Sequence, residues 1–166
     1  MTGALRVTRV LVVDGVVEAA TSLSHLLQMH ECLTAVGFGG DMGIRVGQLF
    51  HPDLVLLDLE SPGQDGCDIL AKARRAEAWG AGAMVIGLAA EISPNDERRY
   101  RAAGFDCVVR KPIDPTTLAE ILMACRHRKM WCEAHRLSPH LDEDLPGPAR
   151  VSWAHPPCLH RPPRPR

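Results

Sequence analysis

Residues 52–66 read PDLVLLDLESPGQDG, and this stretch decides the fold that the sequence predicts. Its centre, Leu54–Leu57, is a continuous apolar run of strand length, as expected for a strand that is buried on both faces of a sheet. Asp58 follows the run directly, and the Pro62-Gly63 pair then marks a turn. A buried strand that ends in an acidic residue and a turn is typical of a parallel sheet with a polar edge.

Strand-like and helix-like segments alternate on both sides of this stretch. Four more segments have strand character: Val10–Val13, Cys32–Val36, Met84–Ile86 and Cys107–Val109. Apolar residues at helical spacing lie between them, and Ser93-Pro94 and Asp114-Pro115 each pair a capping residue with proline at the first helical position. The weakest helix is Asp41–Phe50, because Gly43 and Gly47 each cost roughly 1 kcal/mol relative to alanine. The pattern predicts an α/β protein with a doubly wound five-stranded parallel sheet and helices on both faces.

Proline divides the chain into two regions. Eight of the 13 prolines follow Ser138, and the apolar residues among them show no period. Regular helix or strand is therefore not expected in that stretch. We predict one folded domain over residues 1–136 and a Pro-rich disordered tail, partly in polyproline II conformation, over residues 137–166.

Composition narrows the class of protein. The hydrophobic fraction of 46% suffices for one core, and the formal charge of -1 provides no basic field for nucleic acid or an anionic membrane. No apolar run approaches the ~20 residues that span a bilayer, and the first residues lack the apolar segment of a signal peptide. The apolar surroundings of Cys32, Cys67, Cys107 and Cys125 indicate reduced thiols. We expect a cytoplasmic protein.

Polar side chains follow three of the expected strands. Asp14 comes after the first strand, Asp58 after the third and Lys111 after the fifth. Each residue alone is more simply explained as a turn former, a helix cap or part of an ordinary loop. Together they should meet at the carboxyl edge of the sheet, where two carboxylates and an ammonium suit a divalent cation and a phosphoryl group.

These segments resemble the receiver domain of two-component response regulators, over about residues 9–128. Residues 52–66 look like the third strand, the phosphoacceptor aspartate and the loop that follows. Three further motifs carry the likeness, in the first, fourth and fifth strands: Val10–Asp14, Val85–Ala90 and Gly104–Pro112. The resemblance implies a flavodoxin-like sheet.

The resemblance also implies a role for each strand-end residue. A histidine kinase or phosphotransfer protein would donate a phosphoryl group from its phosphohistidine to Asp58. Asp14, Asp58 and the backbone carbonyl of Glu60 would hold Mg²⁺, and Lys111 would contact the phosphoryl group. Such a protein is a signalling phosphoacceptor rather than an enzyme, with at most slow self-catalysed phosphoryl transfer. We expect output through contact with an unknown downstream protein, because the Pro-rich tail offers no folded DNA-binding segment.

Three positions depart from the family pattern. Gly15 stands where a second acidic residue usually follows Asp14, so Mg²⁺ binding should be weak. Ala89 replaces the threonine or serine whose hydroxyl contacts the phosphoryl group. Val108 replaces the aromatic residue that changes rotamer on activation, and its β-branched side chain is stiff. Glu18, one helical turn beyond Asp14, could replace the missing carboxylate but is more simply a solvent-facing residue.

These departures leave a second function open. A receiver-like module that docks partners without being phosphorylated would keep the strands and turns while losing the chemistry. A phosphatase of the haloacid-dehalogenase kind is a weaker alternative, since residues 58–61, Asp-Leu-Glu-Ser, imitate its pair of aspartates only loosely.

A zinc site near the end of the chain is a further hypothesis. Cys132 and His135 form a C-x-x-H pair, and His155 and Cys158 form an H-x-x-C pair. The proline-rich segment between the pairs offers no hairpin or helix to present them. Chance pairing in a histidine-rich polar tail explains the spacing more simply.

Overall fold

Five strands and five helices alternate along the chain in a computed structural model, which describes the backbone of residues 7–137 and the side chains of residues 7–128. The elements are β1 (Arg9–Val13), α1 (Val17–Met29), β2 (Leu33–Gly37), α2 (Gly40–Phe50), β3 (Leu54–Asp58), α3 (Gly66–Arg75), β4 (Met84–Ala89), α4 (Pro94–Ala103), β5 (Cys107–Arg110) and α5 (Pro115–Leu137). The strands form one parallel sheet in the order β2-β1-β3-β4-β5. The predicted flavodoxin-like α/β fold is confirmed.

The register of the sheet brings the carboxyl ends of its strands to one edge. Val13 of β1 pairs with Leu57 of β3, so Asp14 and Asp58 follow at the same level. Ala89 pairs with Arg110, which places Lys111 just beyond the end of β4. The winding reverses at β1 and β3, and parallel sheets of this kind hold their ligands at that point.

Two hydrophobic cores cover the two faces of the sheet. On one face, alternate strand residues such as Val12 and Leu56 pack against α1 and α5, with Leu27 and Ile121 completely buried. On the other face, the intervening residues pack against α2, α3 and the loop residue Trp79. Because both faces are covered, the central strands are apolar at successive positions.

The α2 helix forms in spite of its glycines, because it lies too close to its neighbours for side chains there. A Cβ atom on Gly43 would lie 2.6 Å from Val13 Cγ1, and one on Gly47 would lie 2.2 Å from Trp79 Cδ1. The indole Nε1 of Trp79 also donates a hydrogen bond to the Gly43 carbonyl at 3.1 Å. Helix propensity therefore understates α2, since tertiary packing stabilises it.

The α4 helix starts where its capping residue and proline predicted. Ser93 caps α4 in a reciprocal capping box with Asp96, and proline occupies the first turn. The α3 helix begins at Gly66, where the Asp65 side chain caps it by accepting a hydrogen bond from Cys67 N at 2.7 Å.

The expected boundary at residue 137 falls at the end of a helix. Leu137 is the last residue of α5, so the helix reaches the first residue that the sequence placed in the tail. Residues 138–166 lie outside the described part of the chain, and so does the prediction of a disordered tail there. Within residues 7–137 no helix combines the length and the apolar character that a bilayer crossing requires.

Candidate functional site

Three strand ends bring Asp14, Asp58 and Lys111 together, as their positions in the sequence predicted. Lys111 Nζ donates a hydrogen bond to Asp58 Oδ1 at 2.7 Å. Asp14 lies close enough to interact electrostatically with both Asp58 and Lys111. The parallel register described above is the cause, since it aligns residues that are up to 97 positions apart in the sequence.

Asp58 is held by hydrogen bonds to both of its carboxylate oxygens. The residue is only 4% exposed. Its Oδ1 accepts from Lys111 Nζ and from Glu60 N, the latter at 3.3 Å. Its Oδ2 accepts from the hydroxyl of Ser61 at 2.8 Å. The carboxylate is thus oriented by an ammonium, an amide and a hydroxyl, which together compensate the cost of burying its charge.

Asp14 serves the turn before α1 as well as the site. Its Oδ1 accepts a hydrogen bond from Val16 N at 2.8 Å, so Asp14 is a turn former, and its role as a metal ligand stays a prediction. Burial raises the pKa of Asp14, and this effect outweighs the opposing hydrogen bond from Val16 N–H; the neighbouring Asp58 adds to the rise and Lys111 opposes it. A raised pKa in the folded state favours the protonated form. The stability that Asp14 contributes is therefore present in acid and is lost as the pH rises through its folded pKa.

A backbone hydrogen bond positions Lys111, and neighbouring carboxylates stabilise the charged form of its side chain. Its N–H donates to the Ala89 carbonyl at 2.8 Å, which sets the residue beside the end of β4. Burial of the ammonium lowers the pKa of Lys111, but the hydrogen bond and charge of Asp58, with Asp14 and Glu60, outweigh burial and raise it. The side chain therefore carries a positive charge at neutral pH.

Ser61 is a site residue that the sequence analysis did not identify. Besides donating to Asp58, its Oγ accepts a hydrogen bond from Gly15 N at 3.3 Å. A Cβ atom on Gly15 would lie 3.2 Å from that same oxygen. The hydroxyl thus fills part of the space into which a side chain at position 15 would extend.

The side chain of Glu60 also takes part in the site, in addition to the backbone carbonyl predicted from the sequence. Glu60 Oε2 accepts a hydrogen bond from Ala90 N at 2.8 Å and lies 3.6 Å from Lys111 Nζ. The side chain is 43% exposed. This carboxylate joins the loop after β3 to the loop after β4.

The other residues singled out from the sequence lie at or outside this site. Ala89 is buried at the end of β4, and Val108 packs partly buried in the core on the α3 face. Gly15 is exposed next to Asp14, and Glu18 is exposed in the first turn of α1. The zinc hypothesis rests on four side chains outside the described residues: Cys132, His135, His155 and Cys158.

The oxygen atoms present suit a hydrated divalent cation. Asp14 and Asp58 supply two carboxylates, and the Glu60 carbonyl is a third candidate donor. Hard oxygen ligands of this kind are those that Mg²⁺ prefers, with water completing its octahedral shell. Residues 7–128 hold no cluster of three or more His, Cys, Asp or Glu side chains arranged for a metal ion, in keeping with a set of only two carboxylates.

Comparisons with known proteins identify relatives of this fold and site. The family model described as the response regulator receiver domain matches residues 10–123. The nitrate/nitrite response regulator protein NarL of Escherichia coli K12 is 30% identical over 115 residues, which cover 68% of this chain and 52% of NarL. The chain spans about half the length of the curated relatives it matches.

Solved structures with the same fold include single receivers and a complex. The chemotaxis protein CheY4 of Vibrio cholerae superposes with a TM-score of 0.65 at 23% identity, over 70% of this chain and 97% of that one. A chain from the co-crystal structure of the Saccharomyces cerevisiae histidine phosphotransfer signaling protein Ypd1 with the receiver domain of Ssk1 gives a TM-score of 0.67 at 19% identity, over 74% and 91% of the two chains. At these identities the structures show a shared fold.

Proposed function

The chain belongs to the response regulator receiver domain family, and from that premise we propose that Asp58 accepts a phosphoryl group from a phosphohistidine on a partner protein. Proteins of this family are signalling phosphoacceptors and generally not enzymes. The observation that carries the proposal is the 2.7 Å contact between Lys111 Nζ and Asp58 Oδ1 at the end of β3. A buried, oriented carboxylate beside a fixed ammonium has the groups that an acyl-phosphate site requires.

The chemistry at Asp58 is a displacement at phosphorus. A carboxylate oxygen of Asp58 attacks, and the new O–P bond forms as the N–P bond to the partner's histidine breaks. The electron pair of that bond stays on the imidazole nitrogen, which then takes up a proton. Lys111 neutralises charge on the phosphoryl oxygens, while Glu60 N and Ser61 Oγ hold the carboxylate in place.

Receiver domains generally bind Mg²⁺ at their acidic pocket, where the ion neutralises charge on the transferred phosphoryl group. In this chain the Asp14 and Asp58 carboxylates and the Glu60 carbonyl would hold the ion. Gly15 contributes no carboxylate, and Asp58 Oδ2 already accepts from Ser61. We infer that Mg²⁺ binds weakly, because each lost ligand has to be replaced by water.

The proposed partners are a histidine kinase or phosphotransfer protein and a downstream protein of unknown identity. Val16 and Val17, which follow Asp14, are 52% and 50% exposed, so apolar surface borders the site where a phosphodonor protein would approach. The family likeness to a receiver solved with its phosphotransfer protein supports this assignment. We propose a cytoplasmic location, which the buried, apolar setting of the Cys32 thiol supports.

A second candidate function is docking without phosphorylation. It is favoured by Ala89, which offers no hydroxyl at the end of β4, and by Val108, which is stiff where an aromatic residue would change rotamer. In that case the fold presents a constant surface to its partner, and the polar site is a remnant.

Intact mass after incubation with acetyl phosphate and Mg²⁺ tests the proposal. The wild-type protein should gain one phosphoryl group, and Asp58→Asn should gain none, because the carboxamide is not a nucleophile of comparable strength. Asp68→Asn removes an exposed carboxylate near the start of α3 and should behave like the wild type. Phosphorylation that persists in Asp58→Asn would contradict the assignment, and an unmodified wild type would favour the docking function.

A further inference from the structure

The Glu60 carboxylate lies between the loop after β4 and Lys111, at the edge of the site. One of its oxygens, Oε2, contacts two donors, Ala90 N at 2.8 Å and Lys111 Nζ at 3.6 Å. The same lysine donates to Asp58 Oδ1 at 2.7 Å. An internal anion thus contacts the ammonium that is bound to the proposed phosphoacceptor and the first amide of the loop after β4.

We propose that the Glu60 carboxylate is a built-in anion that ties the β4–α4 loop to the site before any phosphoryl group is present and that competes with that group for Lys111. The kinetic half of this inference rests on the proposed phosphoacceptor role of Asp58. The tie between the two loops does not depend on that role, and it can be measured separately.

The backbone places the two donors together. The Ala89 carbonyl accepts from Lys111 N at 2.8 Å, which fixes the lysine beside the end of β4. Ala90 N is the first amide beyond that strand, and the Glu60 carboxylate is its acceptor. Glu60 is held in turn by its own N–H, which donates to Asp58 Oδ1 at 3.3 Å. The tie therefore connects the ends of β3, β4 and β5.

A phosphoryl group on Asp58 would disturb this arrangement. It brings additional negative charge within reach of the single ammonium of Lys111, so two anions then share one cation. The Glu60 side chain is 43% exposed, and a contact of this kind is weak enough for the side chain to rotate into solvent. Glu60 should therefore slow phosphorylation without preventing it.

The contact between Glu60 and Ala90 N also links the end of β4 to the site, which a hydroxyl at position 89 would otherwise do. Ala89 has no hydroxyl to link the end of β4 to an added phosphoryl group, whereas Glu60 already links the next residue, Ala90, to the site. Ala90 forms part of the wall of an open pocket of about 320 Å³, which is completed by Glu91, Ile92, Ser93, Asp96 and Arg110. A partner that binds this surface would meet a loop whose first amide is hydrogen-bonded to Glu60.

Two substitutions at Glu60 distinguish the effect of its hydrogen bond to Ala90 N from the effect of its negative charge. Glu60→Ala removes the acceptor for Ala90 N, whereas Glu60→Gln removes the charge but keeps an oxygen that can accept. Both variants retain the backbone carbonyl that we assign to Mg²⁺. Glu91→Gln is the matched control, because it removes one negative charge from the β4–α4 loop without touching the Glu60 contacts.

The experiment measures amide hydrogen exchange at Ala90 by NMR and the phosphorylation rate with acetyl phosphate and Mg²⁺. We expect exchange at Ala90 to be about tenfold faster in Glu60→Ala and less affected in Glu60→Gln. Phosphorylation should be about fivefold faster in both variants and unchanged in Glu91→Gln.

Three outcomes decide between the claims. Unchanged exchange at Ala90 in Glu60→Ala overturns the tie. Faster exchange with no gain in phosphorylation rate for either Glu60 variant overturns the competition. If neither the wild type nor any variant accepts a phosphoryl group, the proposed function fails, and the exchange at Ala90 alone then confirms or overturns the tie.

Discussion

At the scale of single residues, Ser61 decides how the site would accommodate an additional carboxylate. Its hydroxyl bridges Asp58 and Gly15 N, and it occupies the space into which a side chain at position 15 would extend. Restoring an acid at Gly15 therefore requires that Ser61 be made smaller or rotate away. A hydroxyl at position 89 would add a second donor for the phosphoryl group, from the end of the neighbouring strand β4.

Gly15→Asp combined with Ala89→Thr should tighten Mg²⁺ binding, and more so when Ser61→Ala is added. We expect the triple variant to bind Mg²⁺ about tenfold more tightly than the wild type, with faster phosphorylation, since it regains a carboxylate ligand. Mg²⁺ titration by calorimetry and the rate with acetyl phosphate are the measurements. Ser61→Ala alone is the control. A wild type that already matches the triple variant would mean that another ligand, such as Glu18, has replaced the lost carboxylate.

The strand-end members of the site could be predicted from sequence, and the loop members could not. Asp14, Asp58 and Lys111 each follow a strand, and the geometry of a parallel sheet brings such positions together. The contacts of Ser61 and of the Glu60 side chain depend on loop conformation and rotamers, which no periodic pattern encodes. Gly15 and Ser61 are 46 positions apart, and nothing in the sequence indicates that they are hydrogen-bonded to each other.

At the scale of secondary structure elements, α2 shows how close packing can override propensity. Gly47 faces Trp79, and a Cβ atom there would lie 2.2 Å from Cδ1 and 2.6 Å from Nε1 of the indole. The ring cannot retreat freely, since it is 2% exposed and donates to the Gly43 carbonyl. The glycine is therefore required by the neighbouring side chain.

Gly47→Ala should destabilise the protein by about 2 kcal/mol, even though alanine favours the helix by about 1 kcal/mol. The measurement is the urea unfolding midpoint by circular dichroism. Gly82→Ala is the matched control, because no atom lies within 4 Å of a Cβ there; it should leave stability unchanged or raise it by up to about 1 kcal/mol. A Gly47→Ala protein as stable as the wild type would show that the indole can shift without losing its contacts.

Most elements of the fold could be predicted because their sequence signals are local. The β1, β3 and β4 runs are apolar at successive positions, and the Ser93-Pro94 pair marks the start of α4. The start of α3 is harder to locate from the sequence, because its cap at Asp65 precedes the first buried apolar side chains, Ile69 and Leu70. Boundaries of this kind are set by a single side chain, and a repeat of apolar residues cannot locate them.

At the scale of the whole molecule, two hydrophobic cores hold the buried apolar side chains of the described domain. Both are built from the sheet and the helices that cover it, and Leu118, Ile121, Leu122 and Cys125 anchor α5 within its first three turns. Truncation after Arg136 should therefore leave the thermal midpoint nearly unchanged, as the proline content of residues 138–166 suggests. Thermal unfolding of the full and truncated chains checks this. A large decrease would mean that residues such as Trp153 dock on the domain.

The α4 helix, which has no fully buried residue, gives the molecule a region of low local stability next to its polar site. Its ends are fixed by the capping box at Ser93 and by Gly104, while its face is attached mainly through Tyr100, whose ring meets Phe105 edge-to-face at 5.8 Å. Helices with little buried apolar surface open at a lower free energy than the domain as a whole. We therefore expect α4 to open at a lower free energy than the rest of the described domain, at the cost of the Tyr100 contact with one core. A partner that prefers the open or the closed helix would shift the balance between them.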